Sequence, residues 1–565
     1  MSAQYSVQEE SLKLLDNGIL NNPLVRGLPA EIKNFKSLIS FEGKQEPSVP
    51  IVWRFTESIS ALKGFEALML NVLLVRKYGI QPVEIKINTD HATLYVMSPL
   101  FASLVEKDGS QIGGPEAIMA LFPNNDHHRS QAPLHRQLAT NIYKTKDNRY
   151  YHTHGAMNPE PTMKALGIPP EGDEGEEYDD IVHRYQTAVE KFTATELDKM
   201  MNEDYRQAGT VAWTSDEYFA SEHGKANAHI DLYEIHHHDN PTQVPSWWPE
   251  PFETSANRPL AGLKVVDLTR IIAGPSVTRG LAEMGARVMR VTANHIDDLS
   301  SLHHDLNWGK WNCHLDLRQN EDKEKLNKLI LEADVVVDGY RPGVMAKWGF
   351  SREDIYALCK DRERGIIHVR ENCYGWNGPW QDRSGWQQIS DACCGVSYDY
   401  GKAMGVEGAV TPVFPNSDYC AGVSGSTAVL QALCERAEKG GSYGVDVSLN
   451  YYSQWLVRSC GKYPADVWSK LWTSTGSLTF QNYHVMTRML PQVAKSMYQY
   501  NAAALFQPSF FEIRESRVIG QFIRTIKPVA QYPNGEVRLG YEIGTRGNGV
   551  DKPIWPANLD VEVVS

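Results

Sequence analysis

"LTRIIAGPSVTRGLAEMGARVMRV", residues 268–291, decides the fold of this 565-residue chain. It reads as a strand end, a Gly-Pro turn at Gly274-Pro275, a helix and a second strand. That is the layout of a nucleotide-binding crossover, yet it carries neither a G-x-G-x-x-G nor a P-loop. The alternation continues outward: LKVVDLT precedes the stretch, and KLNKLILEAD, VVVDGY, REDIYALCK and GIIHVREN lie beyond it. Strands apolar on both faces, separated by amphipathic helices, predict an α/β fold with a doubly wound parallel sheet.

The flanking sequence sets the remaining organisation. A chain of this length is expected to hold two or three domains. Residues 239–260, rich in proline and polar residues, read as a connection between two halves. The first half, 1–250, is expected to contain a small α+β domain at about 130–235, opening with a hairpin whose turn is Lys146-Asp147-Asn148. The sheet domain is placed at 251–455, and 456–565 reads as a helical and return segment. An internal similarity links residues 55–88 to residues 414–450: Gly64 matches Gly425 and Gly79 matches Gly440 at one offset, and Glu57 falls opposite Asp418. Each copy is an apolar helix ending at a glycine, then an alternating strand.

Composition narrows the function classes. A hydrophobic share of 42%, a charged share of 22% and a net charge of −13 describe a globular chain with no wholesale affinity for nucleic acid. The first residues lack a basic and apolar leader, and no run approaches eighteen consecutive apolar residues, so neither secretion nor a membrane span is expected. Eight cysteines without secretory context read as reduced thiols of a cytoplasmic protein. The histidine runs at 127–128 and 236–238 place consecutive side chains on different faces, so no metal is expected. Ligands of open α/β sheets bind beyond the carboxyl ends of the strands. The strand ends here offer Arg270, Arg290, Lys310, Arg341 and, one turn on, Lys347, a cationic set suited to a ligand with several phosphates.

Four segments carry a resemblance. ANRPLAGLKVVDLTRIIAGPSVTRGLAEMGARVMRV, NWGKWNCHLDL, ADVVVDGYRPGVMAKWGF and GVDVSLN, in order over roughly 258–455, strongly resemble the family III CoA-transferases, the CaiB/BaiF family. The resemblance implies a CoA-binding sheet domain plus a small domain, interlocked homodimers, and CoA or acyl-CoA as substrate with a carboxylic acid as partner. It also implies that Ala273 and Gly274 approach the ligand by backbone, that Arg290 and Lys310 serve its phosphates, and that Arg341 and Lys347 line its nucleotide end. Asn307, Pro342, Tyr374 and Gln387 complete the ligand-binding set. The first half is similar to the same family out of order, as if a truncated or permuted duplication supplied two family-like halves in one chain.

The catalytic positions match less well. By the resemblance, the transferases use an aspartate in a G-x-x-D-G-P-P loop as nucleophile, forming an acyl-enzyme anhydride. The corresponding loop here is Gly405-Val406-Glu407-Gly408-Ala409, which puts Glu407 in that role, with Asp399 as a weaker candidate. The racemase branch uses a His/Asp pair; its histidine segment reads Gly385-Trp386-Gln387 here, and its aspartate is kept as Asp418. With one base missing, racemisation is disfavoured. Three readings stay open: CoA transfer through an acyl-glutamyl intermediate at Glu407, isomerase- or lyase-type proton abstraction by Asp418 or Glu407, and a non-catalytic binding homologue.

Overall fold

Seven strands form the central sheet of the computed structural model, which describes residues 4–249, 255–559 and 561–564. In chain order they are β1 (Tyr233–His238), β2 (Lys264–Leu268), β3 (Arg287–Thr292), β4 (Lys310–His314), β5 (Val335–Asp338), β6 (Ile367–Asn372) and β7 (Ser442–Ser448). Across the sheet they run β4-β3-β2-β5-β6-β7-β1. Strands β2 to β7 are parallel, as their continuous apolar runs require; Val335, Val336 and Val337 of β5 are fully buried. The edge strand β1 is antiparallel to β7, so the sheet is not wholly parallel, and its last strand comes from the first half of the chain. The expected boundary at 250/251 lies outside the described residues, as do all of residues 250–254.

The order fixes where a ligand sits. From β2 the chain winds outward through β3 and β4, then returns to the other side of β2 with β5. Strand order reverses between β2 and β5, and the crevice beyond their carboxyl ends is the binding position of such sheets.

Four helices support that crevice, directly or through one another: α1 (Phe55–Tyr78), α2 (Ala273–Glu283), α3 (Gln387–Cys393) and α4 (Asn416–Lys439). Helix α1 is long and apolar enough to cross a membrane, but residues 55–74 are all buried against other elements, which makes it a core helix. It packs on α4, and α4 on α2. A buried polar bridge runs through this layer: Lys63 pairs with Glu66 and, at 3.5 Å, with Glu283, and the Ser426 hydroxyl donates to Glu66.

Both helix–strand units expected from the internal similarity form. Each helix has 24 residues and is capped by the matched glycine, Gly79 or Gly440, at positive φ. The strands after them join different sheets: α4 leads into β7, whereas α1 leads to Ile85–Asn88 in a three-stranded sheet with Ile39–Glu42 and Ala530–Gln531.

A separate antiparallel sheet of Asn141–Lys144, Tyr150–Thr153 and Gly209–Val211, covered by Tyr178–Val189 and Ala194–Lys199, gives the small α+β unit its own apolar core. The hairpin turns at residues 145–149, with Asn148 at φ 60°. The C-terminal segment spreads over both halves. Phe511–Ser516 and Gln521–Ile526 extend a sheet with Ser103–Val105 and Gln111–Gly113, and the final stretch lies along β4, where Gly309 N–H donates to Ile543 O at 2.8 Å.

Candidate active site

A cavity of about 440 Å³ opens at the switch point. Its wall is made by residues 270–273 after β2, 339–342 after β5, 371–373 at the end of β6, 383–386 before α3, and 156–158 from the small unit. Asp418, in the first turn of α4, completes it. The loop after β2 holds Ile271 at φ 76°, a conformation that disfavours a β-branched residue by about 1–3 kcal/mol and that concentrates at ligand sites.

Two carboxyl groups in the cavity stand apart. Among the described residues, neither Asp418 nor Glu371 receives a hydrogen bond or forms an ion pair. Burial pushes Asp418 up to about 8. Burial and the neighbouring Asp418 and Asp338 do the same to Glu371, also to about 8. Behind them Asp391 accepts the Gln387 amide, and burial holds its carboxyl well above the usual range. Of the cavity cations, Arg383 is forked onto Asp198 at 2.8 and 3.3 Å. Arg270 and Arg341 have no carboxylate partner among the described residues: Arg270 donates to the Asp297 carbonyl, and Arg341 reaches only Arg206 O at 3.4 Å. Burial and Arg270 lower the Arg341 pKa, the mark of an uncompensated positive patch.

The expected ligand-binding residues divide into two groups. Ala273, Arg341 and Pro342 line the cavity, and Lys347 lies exposed on the short helix Val344–Lys347 beyond it. Gly274 packs on Thr269 so closely that a Cβ would lie 2.7 Å from its methyl group, so the glycine serves the strand–helix approach. Gln387 is buried against Asp391, and Tyr374, fully buried, donates to Gly209 O at 3.3 Å.

Arg290 and Lys310 are corrections. Lys310 is wholly buried; its ammonium donates to Asp267 at 3.0 Å, Pro275 O at 2.9 Å and the Thr278 hydroxyl at 2.7 Å. Burial lowers its pKa to about 8. It opens β4, so it sits at the end of the strand opposite to the ligand side. Arg290 is buried between Asp298 at 2.7 Å and Asn548 at 2.8 Å, with Asn307 at 3.4 Å, and Asn307 itself donates to Arg546 O. These three side chains hold the sheet domain together from inside and present nothing to a phosphate.

Glu407 is the second correction. Its side chain is 79% exposed, paired at 3.1 Å with Lys144 of the small unit, and it does not line the cavity. Asp399 is paired with Lys462 at 2.7 Å. Neither expected nucleophile candidate reaches the cavity; Asp418, expected as a base for proton abstraction, does. Glu371, Asp391 and Arg383 were not foreseen as site residues, although GIIHVREN places a glutamate at the carboxyl end of a strand. Elsewhere, Glu234, His236 and Asp446 approach within 4.8 Å, but Asp446 is already taken by Arg352 and Arg370.

Among comparisons with known proteins, the family match falls on the sheet domain, and one relative matches the whole chain. Residues 260–465 match CoA-transferase family III. The chain is 53% identical to an acetyl-coenzyme A transferase of Hypoxylon pulicicidum, over 100% of this chain and 96% of that one. It is 33% identical to an acyl-CoA transferase of Gibberella moniliformis, over 74% and 73% of the two chains. A CAIB/BAIF family protein of Brucella suis aligns in structure at a TM-score of 0.31 with 26% identity, over 36% of this chain and 56% of its own. With near-complete coverage by a relative at 53% identity, the chain belongs to the family III CoA-transferases, enzymes whose substrates are CoA thioesters.

Proposed function

We propose that this transferase moves CoA between carboxylic acids through an acyl anhydride formed on Asp418. The observation that carries the reading is the placement of that side chain: in the first turn of α4, lining the cavity at the switch point, with no hydrogen-bond or ion-pair partner among the described residues. Such a group needs no auxiliary base once ionised, because its oxygen lone pair attacks the thioester carbon directly and CoA leaves as thiolate. Arg270 and Arg341 serve the anionic CoA phosphates at the cavity mouth, with Lys347 beyond them. The small unit closes the other side through residues 156–158, which limits water at the anhydride. The names of the Hypoxylon and Gibberella relatives support acetyl-CoA or another acyl-CoA as the donor.

The test is to incubate the protein with acetyl-CoA, trap with hydroxylamine and locate the hydroxamate by peptide mass spectrometry. The expected result is modification of Asp418, absent in Asp418→Asn. Incorporation of solvent deuterium next to the thioester carbonyl without any adduct would replace the transfer reading with proton abstraction.

A further inference from the structure

The geometry points to Glu371 as a second catalytic carboxyl, donating a hydrogen bond to the thioester carbonyl oxygen while Asp418 attacks the carbonyl carbon. This rests on Asp418 being the nucleophile. Glu371 is the penultimate residue of β6, lines the same cavity as Asp418, and is free of hydrogen-bond and ion-pair partners among the described residues. The groups around it are Asp418 from α4, Asp338 from the end of β5, and the cavity arginines Arg270, Arg341 and Arg383, the last already taken by Asp198.

Two carboxyl groups that share one cavity, neither of them ion-paired among the described residues, resist ionising together, so the first ionisation leaves one anion beside one neutral acid. Placement decides which of them is ionised. Asp418 sits in the first turn of a 24-residue helix, where unpaired amide N–H groups and the helix dipole favour an anion. Glu371 sits at a strand end, where the net dipole is small, and has Asp338 beside it. The singly ionised, reactive form of the pair is therefore an anionic Asp418 and a neutral Glu371, a nucleophile next to a hydrogen-bond donor.

The step balances with these two groups alone. An Asp418 oxygen lone pair forms the new C–O bond as the carbonyl π pair moves onto oxygen, which accepts the hydrogen bond from the Glu371 O–H. Collapse re-forms the carbonyl, breaks the C–S bond and releases CoA thiolate. Glu371 keeps its proton throughout. Donors placed on a developing oxyanion are worth about 10²–10³ in rate.

The experiment is single-turnover acylation of the full chain by acetyl-CoA, followed over pH, for the native protein, Glu371→Gln and Glu371→Leu. Glu371→Gln keeps an N–H donor and should stay within about tenfold of the native rate, whereas Glu371→Leu should fall by about 10²–10³-fold with acetyl-CoA affinity changed less than about threefold. The native rate should rise as Asp418 ionises and then decline as Glu371 loses its proton, and Glu371→Gln should keep the rise and lack the alkaline decline. A native rate in Glu371→Leu overturns the proposal, and so does an equally slow Glu371→Gln. If Glu371→Leu does not fold, an alkaline decline that persists in Glu371→Gln overturns it alone. In each of these cases an adduct on Asp418 leaves the transfer reading standing; no adduct in the native protein removes both.

Discussion

Glu57 and Asp418 occupy the same third position of two 24-residue helices, α1 and α4, in opposite surroundings. Glu57 is sealed: Tyr5 and Tyr463 donate their hydroxyls to it at 2.6 and 2.9 Å, Arg54 lies at 3.9 Å, and its side chain has no exposed surface. The two tyrosines come from the start of the chain and from the segment after residue 456. A cleft of about 710 Å³ next to this place is lined by Tyr5 but not by Glu57. Asp418 has no such cover. One backbone position can thus be sealed into the fold where neighbours satisfy its carboxylate and stay open to a cavity where they do not. The cations divide the same way, with Lys310 locked inside the sheet domain and Arg341 open at the cavity.

The largest expected effect breaks the open member of the first pair. Asp418→Asn should lower turnover by about 10³-fold or more, because it keeps shape and removes the nucleophile. Glu57→Gln should leave turnover per folded molecule unchanged. Steady-state rates of both variants, normalised to folded protein, check this; loss of chemistry in Glu57→Gln with Asp418→Asn still active would reverse the assignment of the two positions.

The next effects are losses of stability at the sealed members. Lys310→Ala leaves Asp267 buried without its cation, a change that costs about 3–5 kcal/mol. Glu57→Ala strands two tyrosine hydroxyls and part of the Arg54 charge, for about 3 kcal/mol. Denaturant midpoints measure both. Arg341→Ala should do the converse, weakening CoA binding by about 1–3 kcal/mol with the midpoint unmoved, since among the described residues its guanidinium has only one long hydrogen bond to lose. Calorimetric titration with CoA reads the affinity, and equal CoA affinity in Arg341→Ala would remove that residue from the site.

The contrast between sealed and open charges also explains what was legible in the sequence. The alternation around LTRIIAGPSVTRGLAEMGARVMRV pointed to the parallel strands, and inspecting strand ends led to Arg270, Ala273 and Arg341, which lie in the cavity wall, because position along a strand is a local property. Lys310 and Arg290 misled because their partners are set by the fold: Asp267 lies 43 residues from Lys310, and sequence does not show which cation finds an internal carboxylate. Glu407 misled because a glycine-flanked loop looks the same whether it faces a ligand or solvent. Glu371 reads as the tail of a strand, although the same strand-end rule covers it. The edge strand β1, rich in histidine, carried no alternation that would bring it to β7.

The smallest expected effect is a pH dependence that separates the two helix starts once more. The folded-state pKa of Asp418 is raised to about 8, against about 4 in an unfolded chain. Between those values the folded protein binds a proton that the unfolded chain has released, so this group's contribution to stability is present below pH 4 and is lost as pH rises towards 8. Asparagine has no such loss. Asp418→Asn should therefore melt with the native protein near pH 4 and be the more stable of the two near pH 8, by about 1–3 kcal/mol after allowing for the neighbouring Glu371 and for contact with solvent. Glu57→Gln should gain less over the same range. Burial raises the Glu57 pKa too, but the charge of Arg54 and the hydroxyls of Tyr5 and Tyr463 oppose that rise, and glutamine gives up their favourable contacts with the carboxylate. Melting midpoints of the three proteins from pH 4 to 8 decide it: parallel curves for Asp418→Asn and the native chain would mean that Asp418 is as well satisfied as Glu57, and the contrast on which its chemical role rests would be gone.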